Sequence, residues 1–97
     1  MDKLVILARK FKLFVLEDSA ESLGSKYKGK HTGTFGDIGI LSFNGNKIIT
    51  TGSGGAILTK KKELADKARH LISNAKVKGF GYLHDGLGYN YKMANIN

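Results

Sequence analysis

A lysine, a serine and an aspartate carry the chemistry legible in this chain. Lys47 sits in the polar loop Asn44-Gly45-Asn46-Lys47, between the apolar run Ile38-Gly39-Ile40-Leu41-Ser42-Phe43 and the glycine-rich return Gly52-Ser53-Gly54-Gly55. Ser42 lies upstream on the run that leads to it, and Asp18 ends an earlier apolar run. An amine can condense with an aldehyde, a hydroxyl beside a glycine-rich turn can hold a phosphate, and a carboxylate can pair with a protonated pyridine nitrogen. Together these are the groups a pyridoxal phosphate site requires. Singly, each has a plainer role: a solvated loop charge, an ordinary strand serine, an aspartate capping the next helix.

Hydrophobic periodicity gives the elements that must position these groups. Leu4 to Phe11 has apolar residues at helical spacing and leads into Leu13-Phe14-Val15-Leu16, a continuous apolar run suited to a strand covered on both faces. Glu17 and Asp18 close that strand. Ser19 to Gly24 reads as a brief helical turn, and Ser25 to Gly36 as a polar loop with a small hairpin over Lys26 to Lys30. Ile38 to Phe43 and Gly55 to Thr59 read as strands. Thr59 is a candidate helix cap for Lys61 to Asn74, where Leu64, Ala65, Ala68, Leu71 and Ile72 share one face. Lys76 to Gly88, rich in glycine and aromatics without a period, reads as a loop ordered by other surfaces. Alternating helices and strands predict an α/β arrangement with a mostly parallel sheet flanked by helices.

Bulk composition excludes several classes. The 97 residues carry no cysteine, so disulfides and thiolate metal sites are ruled out. His31, His70 and His84 are widely separated and lack the spacing of a metal site, so no metal is expected. No apolar run approaches the roughly 20 residues that span a bilayer, and the amino end does not read as a signal peptide. A cytoplasmic protein without membrane contact is the expectation. The formal charge of +8 would suit an anionic polymer, but the positives are scattered and no nucleic-acid-binding motif accompanies them. The glycine tract lacks the spacing of a Walker or dinucleotide fingerprint.

The stretches Glu17-Asp18-Ser19-Ala20-Glu21-Ser22-Leu23-Gly24, Gly36 to Gly55, and Gly88-Tyr89-Asn90-Tyr91-Lys92-Met93-Ala94-Asn95-Ile96 resemble the DegT/DnrJ/EryC1/StrS sugar aminotransferases. The wording around Lys47 is most similar to nucleotide-sugar 4-aminotransferases of the bacillosamine and legionaminic acid type. The resemblance implies part of the large domain of a fold-type-I pyridoxal phosphate enzyme. On that reading, residues 1–97 form a partial cofactor-binding domain, with its N-terminal part and a C-terminal small domain absent. The implied activity moves an amino group, from glutamate, to the keto carbon of a nucleotide-linked deoxysugar, for surface polysaccharide or glycan. The expected assembly is a homodimer. An inactive fragment or a complementing half of a split enzyme is one alternative, and a basic module for an anionic polymer is another.

The resemblance also assigns roles. Lys47 is implied as the residue that bonds to the cofactor aldehyde and then moves a proton at the substrate carbon. Such an amine must spend part of its time uncharged, which burial favours. Asp18 is implied to face the pyridine nitrogen, Glu21 to approach the ring hydroxyl, and Ser42 to bind the phosphate. Asn90 is implied to reach the phosphate of the partner subunit's cofactor. Lys92 stands where the family usually has arginine, and a lysine cannot reproduce a planar two-pronged contact.

Overall fold

The computed structural model describes residues 1–79 and 81–96. Its elements run α1 (Asp2–Lys10), β1 (Leu16–Asp18), β2 (Lys26–Tyr27), β3 (Lys30–His31), β4 (Ile38–Ser42), β5 (Gly55–Leu58) and α2 (Lys62–Leu71). Three strands form one sheet in the order β1-β4-β5, and β2 and β3 form a separate hairpin. The α/β class is as expected. Within these residues the sheet is mixed, because β1 pairs with β4 in parallel and β5 pairs with β4 antiparallel. The carboxyl ends of β1 and β4 therefore meet at one rim, where β5 begins.

Local chemistry explains the boundaries. Asp2 in the first turn of α1 and Arg9 and Lys10 in its last complement the helix dipole. The helix ends in a Schellman motif: Leu13 N–H donates to the Ala8 carbonyl at 2.8 Å and Lys12 N–H to that of Arg9 at 3.1 Å. Lys12, at φ 54°, occupies the left-handed position that glycine usually fills. The chain needs those residues to turn, so β1 starts at Leu16, later than the Leu13–Leu16 run suggests. The expected hairpin is present; Lys28 and Gly29, at φ 51° and 78°, give the two left-handed residues of a tight turn that matches strand twist.

Two expectations are corrected. Ser19 to Gly24 is not helical but two successive turns, closed by Ser22 N–H to the Ser19 carbonyl and Ser25 N–H to that of Ser22. Thr59 does not cap α2, whose N-cap is Lys61. Its hydroxyl instead donates to the Asp37 carbonyl at 2.7 Å and accepts from Lys61 N–H at 3.2 Å, tying the entry of α2 to the start of β4. Along α2 the expected face is half-buried, and Asp66 pairs with Lys62 and Arg69 on the exposed side. The loop from Lys76 carries one bridge, Lys76 to His84; Phe80 within it lies outside the described residues.

Glycine is required where the 32–36 segment packs under β4. A Cβ on Gly39 would meet the Gly33 carbonyl oxygen at 2.0 Å. Apolar burial is slight: among the described residues only Ala8 and Ala75 are buried apolar residues, while Leu4, Leu7, Phe14 and Ile57 stay largely exposed. The radius of gyration is 15.8 Å, against about 12–13 Å for a compact chain of this length.

Candidate functional site

Asp18 and Ser42 lie on one face of the sheet at the shared rim. Asp18 is in register with Ile40, and Ser42 is two positions further along β4, so the pleat points both side chains the same way. Asp18 is exposed, and its Oδ1 accepts from Ala20 N–H at 3.1 Å. No hydrogen bond reaches its Oδ2 among the described residues. A hollow of about 270 Å³ opens beside it, lined in part by Leu4, Leu16, Ser19 and Ser22. Ser42 is half-buried and its Oγ accepts from Asn44 N–H at 3.3 Å.

Lys47 hangs above that rim on a loop with a closed neck. Phe43 N–H donates to the Gly54 carbonyl at 2.9 Å, and Thr51 N–H and the Thr50 hydroxyl donate to the Phe43 carbonyl at 3.1 and 3.0 Å. Within the loop, Lys47 N–H closes a turn on the Asn44 carbonyl at 3.0 Å. The Lys47 ammonium is ion-paired to Glu21, which lies in the turns that follow β1. The Lys47 side chain is only 14% exposed, although the neighbouring Ile48 and Ile49 are open to solvent. Lys47 and Glu21 thus come together, and the pairing draws the amine toward the end of β1. Asp18 and Ser42 share the face beneath. The hollow beside Asp18 takes in neither Ser42 nor Lys47.

Asn90 lies elsewhere. It bridges Ser73 beyond α2, and Tyr89 N–H and Tyr91 N–H donate to the Leu71 and Ile72 carbonyls at 2.9 and 3.0 Å. The chain then turns toward the neck of the lysine loop, where the Thr51 hydroxyl is 3.6 Å from Met93 Sδ. Lys92, just before it, is exposed.

Two acidic residues that fix the strands beneath the site were not singled out from the sequence. Glu17 faces the opposite side from Asp18 and accepts three backbone N–H bonds: from Gly33 at 2.8 Å, and from Phe35 and Gly36 at 2.5 Å each. It locks the segment before β4 onto β1. Asp37 accepts from Val15 N–H at 2.8 Å and from the Lys61 ammonium at 2.6 Å. The Lys61 ammonium, chiefly, and the Val15 amide hold the Asp37 carboxyl below its ordinary range, while Asp37 pushes Lys61 up. The signal was strand alternation, which sends Glu17 away from the face of Asp18.

The donor set fits pyridoxal phosphate in kind: a covered amine for the aldehyde, a carboxylate oxygen free of intramolecular bonds, and a hydroxyl on the same face. Known proteins point the same way. A GDP-perosamine synthase from Escherichia coli O157:H7 is 52% identical over 96 residues, 99% of this chain and 26% of that one. EpsN of Bacillus subtilis, whose name includes pyridoxal phosphate-dependent aminotransferase, is 49% identical over 99% of this chain and 25% of its own. Helicobacter pylori PseC, an aminotransferase involved in the biosynthesis of pseudoaminic acid, superposes with a TM-score of 0.92 at 33% identity, over 98% of this chain and 26% of that one. The chain spans about a quarter of the length of the curated relatives it matches. All of residues 1–97 match one family, and with the rim geometry and these likenesses the chain belongs to the DegT/DnrJ/EryC1/StrS aminotransferase family.

Proposed function

We propose that this chain forms part of the large, cofactor-binding domain of an enzyme that transfers an amino group, from glutamate, to the keto carbon of a nucleotide-linked deoxysugar. The observation that carries this reading is the Lys47–Glu21 pair at the rim where Asp18 and Ser42 share a sheet face. The names of the relatives, a perosamine synthase and a pseudoaminic acid aminotransferase, support the substrate class.

Pyridoxal phosphate, when bound, supplies an aldehyde for an amine and an electron-withdrawing pyridine ring. The residues of this chain would hold and serve it. Asp18 Oδ2 keeps a proton on the pyridine nitrogen, since a carboxylate at hydrogen-bond distance favours the charged ring. The Ser42 hydroxyl donates to a phosphate oxygen. Glu21 pairs with the Lys47 ammonium and would approach the ring hydroxyl of the bound cofactor. Lys47, once released, would be placed to move a proton between the nitrogen-bearing carbon of the substrate and the cofactor's aldehyde carbon. Asn90, which bridges Ser73 beyond α2, would serve the phosphate site of a second subunit, making a homodimer the working unit. No helix among the described residues is long and apolar enough to cross a membrane, which accords with cytoplasmic substrates.

The test is absorbance and turnover in the protein expressed from its native reading frame. Adding pyridoxal phosphate should produce a visible band, with amino transfer from glutamate to a nucleotide-linked keto-sugar. Lys47→Ala should remove both. Persistence of the band and of turnover in that variant rejects the assignment.

A further inference from the structure

The rim opposite the candidate site holds a second concave surface with a charge of its own. A hollow of about 580 Å³ lies between the end of α1, the hairpin, the starts of β1 and β4, and the entry to α2. Five cations line it, from three separate parts of the chain: Arg9 and Lys12 at the end of α1, Lys30 in β3, and Lys60 and Lys61 before α2. One carboxylate, Asp37, faces them and is paired with Lys61. Arg9, Lys12, Lys30 and Lys60 make no salt bridge among the described residues. These four exposed cations share one hollow with a single carboxylate, which Arg9 also feels, so the surface carries a net positive charge that favours a bound anion.

Two features distinguish this cluster from scattered surface charge. Lys12 keeps its side chain at a left-handed backbone position, φ 54°, where glycine would be unstrained. The floor is not water-like: Ala8 is buried, and Val5, Val15 and Gly36 are half-buried beneath the charges. Against such a floor ionic contacts are screened less than on an open face. Lys30 also lies 4.1 Å from the centre of the Phe35 ring, which steadies one wall.

We propose that this hollow is an anion site, distinct from the lysine rim, that takes a diphosphate group, free or as part of a nucleotide. A monophosphate group brings up to about two negative charges, whereas a diphosphate brings more charge and a longer reach to meet an arginine fork and several ammoniums together. The volume falls within the range of small-ligand pockets and leaves room for a nucleoside beside the phosphates. A concave cluster of this kind is unlike the extended charged track that an anionic polymer follows.

The test is calorimetric titration of inorganic pyrophosphate, then of UDP, into the protein expressed from its native reading frame and saturated with pyridoxal phosphate, so that any phosphate site at Ser42 is already filled. Saturable one-to-one binding is expected. The double variant Lys12→Gly/Lys60→Ala should weaken it about tenfold, the sum of two exposed ionic contacts. Lys12→Gly also relaxes the backbone, so a melting temperature at or above wild type separates lost binding from lost folding. The control double variant Lys3→Ala/Lys67→Ala removes the same charge elsewhere and should leave binding within about twofold. Binding of UDP that the Lys12→Gly/Lys60→Ala variant weakens as much as it weakens pyrophosphate supports the site, whereas binding of both probes that this variant leaves unchanged belongs to the lysine rim and overturns it. Absent binding of both probes, equal weakening by the control, or steeply salt-dependent binding of duplex DNA in their place overturns it.

Discussion

Replacing Glu17 should cost the protein more than replacing either acidic residue of the proposed cofactor site. Its two carboxylate oxygens accept from three consecutive-loop amides, at 2.8, 2.5 and 2.5 Å. Hydrogen bonds to a charged acceptor contribute about 1.5–3 kcal/mol each. The side chain is half-buried, and water would replace part of what is lost, so the low end applies. Glu17→Ala should then lose about 4 kcal/mol, a large share of the 5–15 kcal/mol typical of a folded domain. Glu17→Gln keeps one acceptor oxygen, which can serve Phe35 and Gly36, and turns an NH₂ toward Gly33; a loss of about 2 kcal/mol is expected. Urea unfolding of the protein from its native reading frame, followed by circular dichroism, measures both. Asp18→Ala should stay within about 1 kcal/mol of wild type, because its one intramolecular bond is an exposed turn contact. An alanine variant at position 17 as stable as wild type would refute the anchoring argument. A glutamine as damaging as the alanine would assign the effect to charge instead of to hydrogen bonds.

Other consequences can be checked separately. Gly39→Ala should destabilise by about 3 kcal/mol or yield insoluble protein, since its methyl would sit 2.0 Å from the Gly33 carbonyl oxygen and only main chain could move aside; unfolding midpoints measure this. The Asp37–Lys61 pair predicts two pH limbs: the lowered Asp37 carboxyl contributes stability above the ordinary carboxylate value of 3.8 that is lost as pH falls through its folded value, and the raised Lys61 contributes stability below 10.5 that is lost as pH rises through its own. Asp37→Asn should flatten both limbs in melts run across pH. Glu21→Gln, leaving Lys47 without its ion pair, should weaken the visible band formed with pyridoxal phosphate, while Lys47→Ala should abolish it; absorbance titration with the cofactor measures both.

The sequence was most informative where a single local rule decides the outcome. The face of α2, the hairpin over Lys26 to Lys30 and the strand leading to Lys47 follow from helical period, turn chemistry and an apolar run, and all are present. The start of β1 was misplaced because Leu13 to Val15 is apolar enough for a strand, yet the Schellman ending of α1 uses Leu13 as its hydrogen-bonded exit. Thr59 has the residue type of a cap, but a carbonyl from a segment distant in sequence competes for its hydroxyl. Family wording named Asp18, Glu21, Ser42 and Lys47, and the fold brings Glu21 to Lys47 and sets Asp18 beside Ser42. Glu17 escaped notice because its partners are backbone amides, which leave no trace in residue identity, and Asp37 because Lys61, its ionic partner, lies 24 residues on.

The pinned neck of the lysine loop has a kinetic consequence. With Phe43 and Gly54 fastened to each other, the chain between them is already a closed ring, and the entropy of bringing its ends together was spent when β4 and β5 paired. The tip carrying residue 47 therefore explores a small volume, and most of its remaining reach is the swing of a four-carbon stem. Rotation about that stem is a local motion, slowed by its burial yet faster than opening of the loop neck. Movement of the Lys47 ammonium away from Glu21 thus needs only a rotational search of the stem, with no rearrangement of the sheet below.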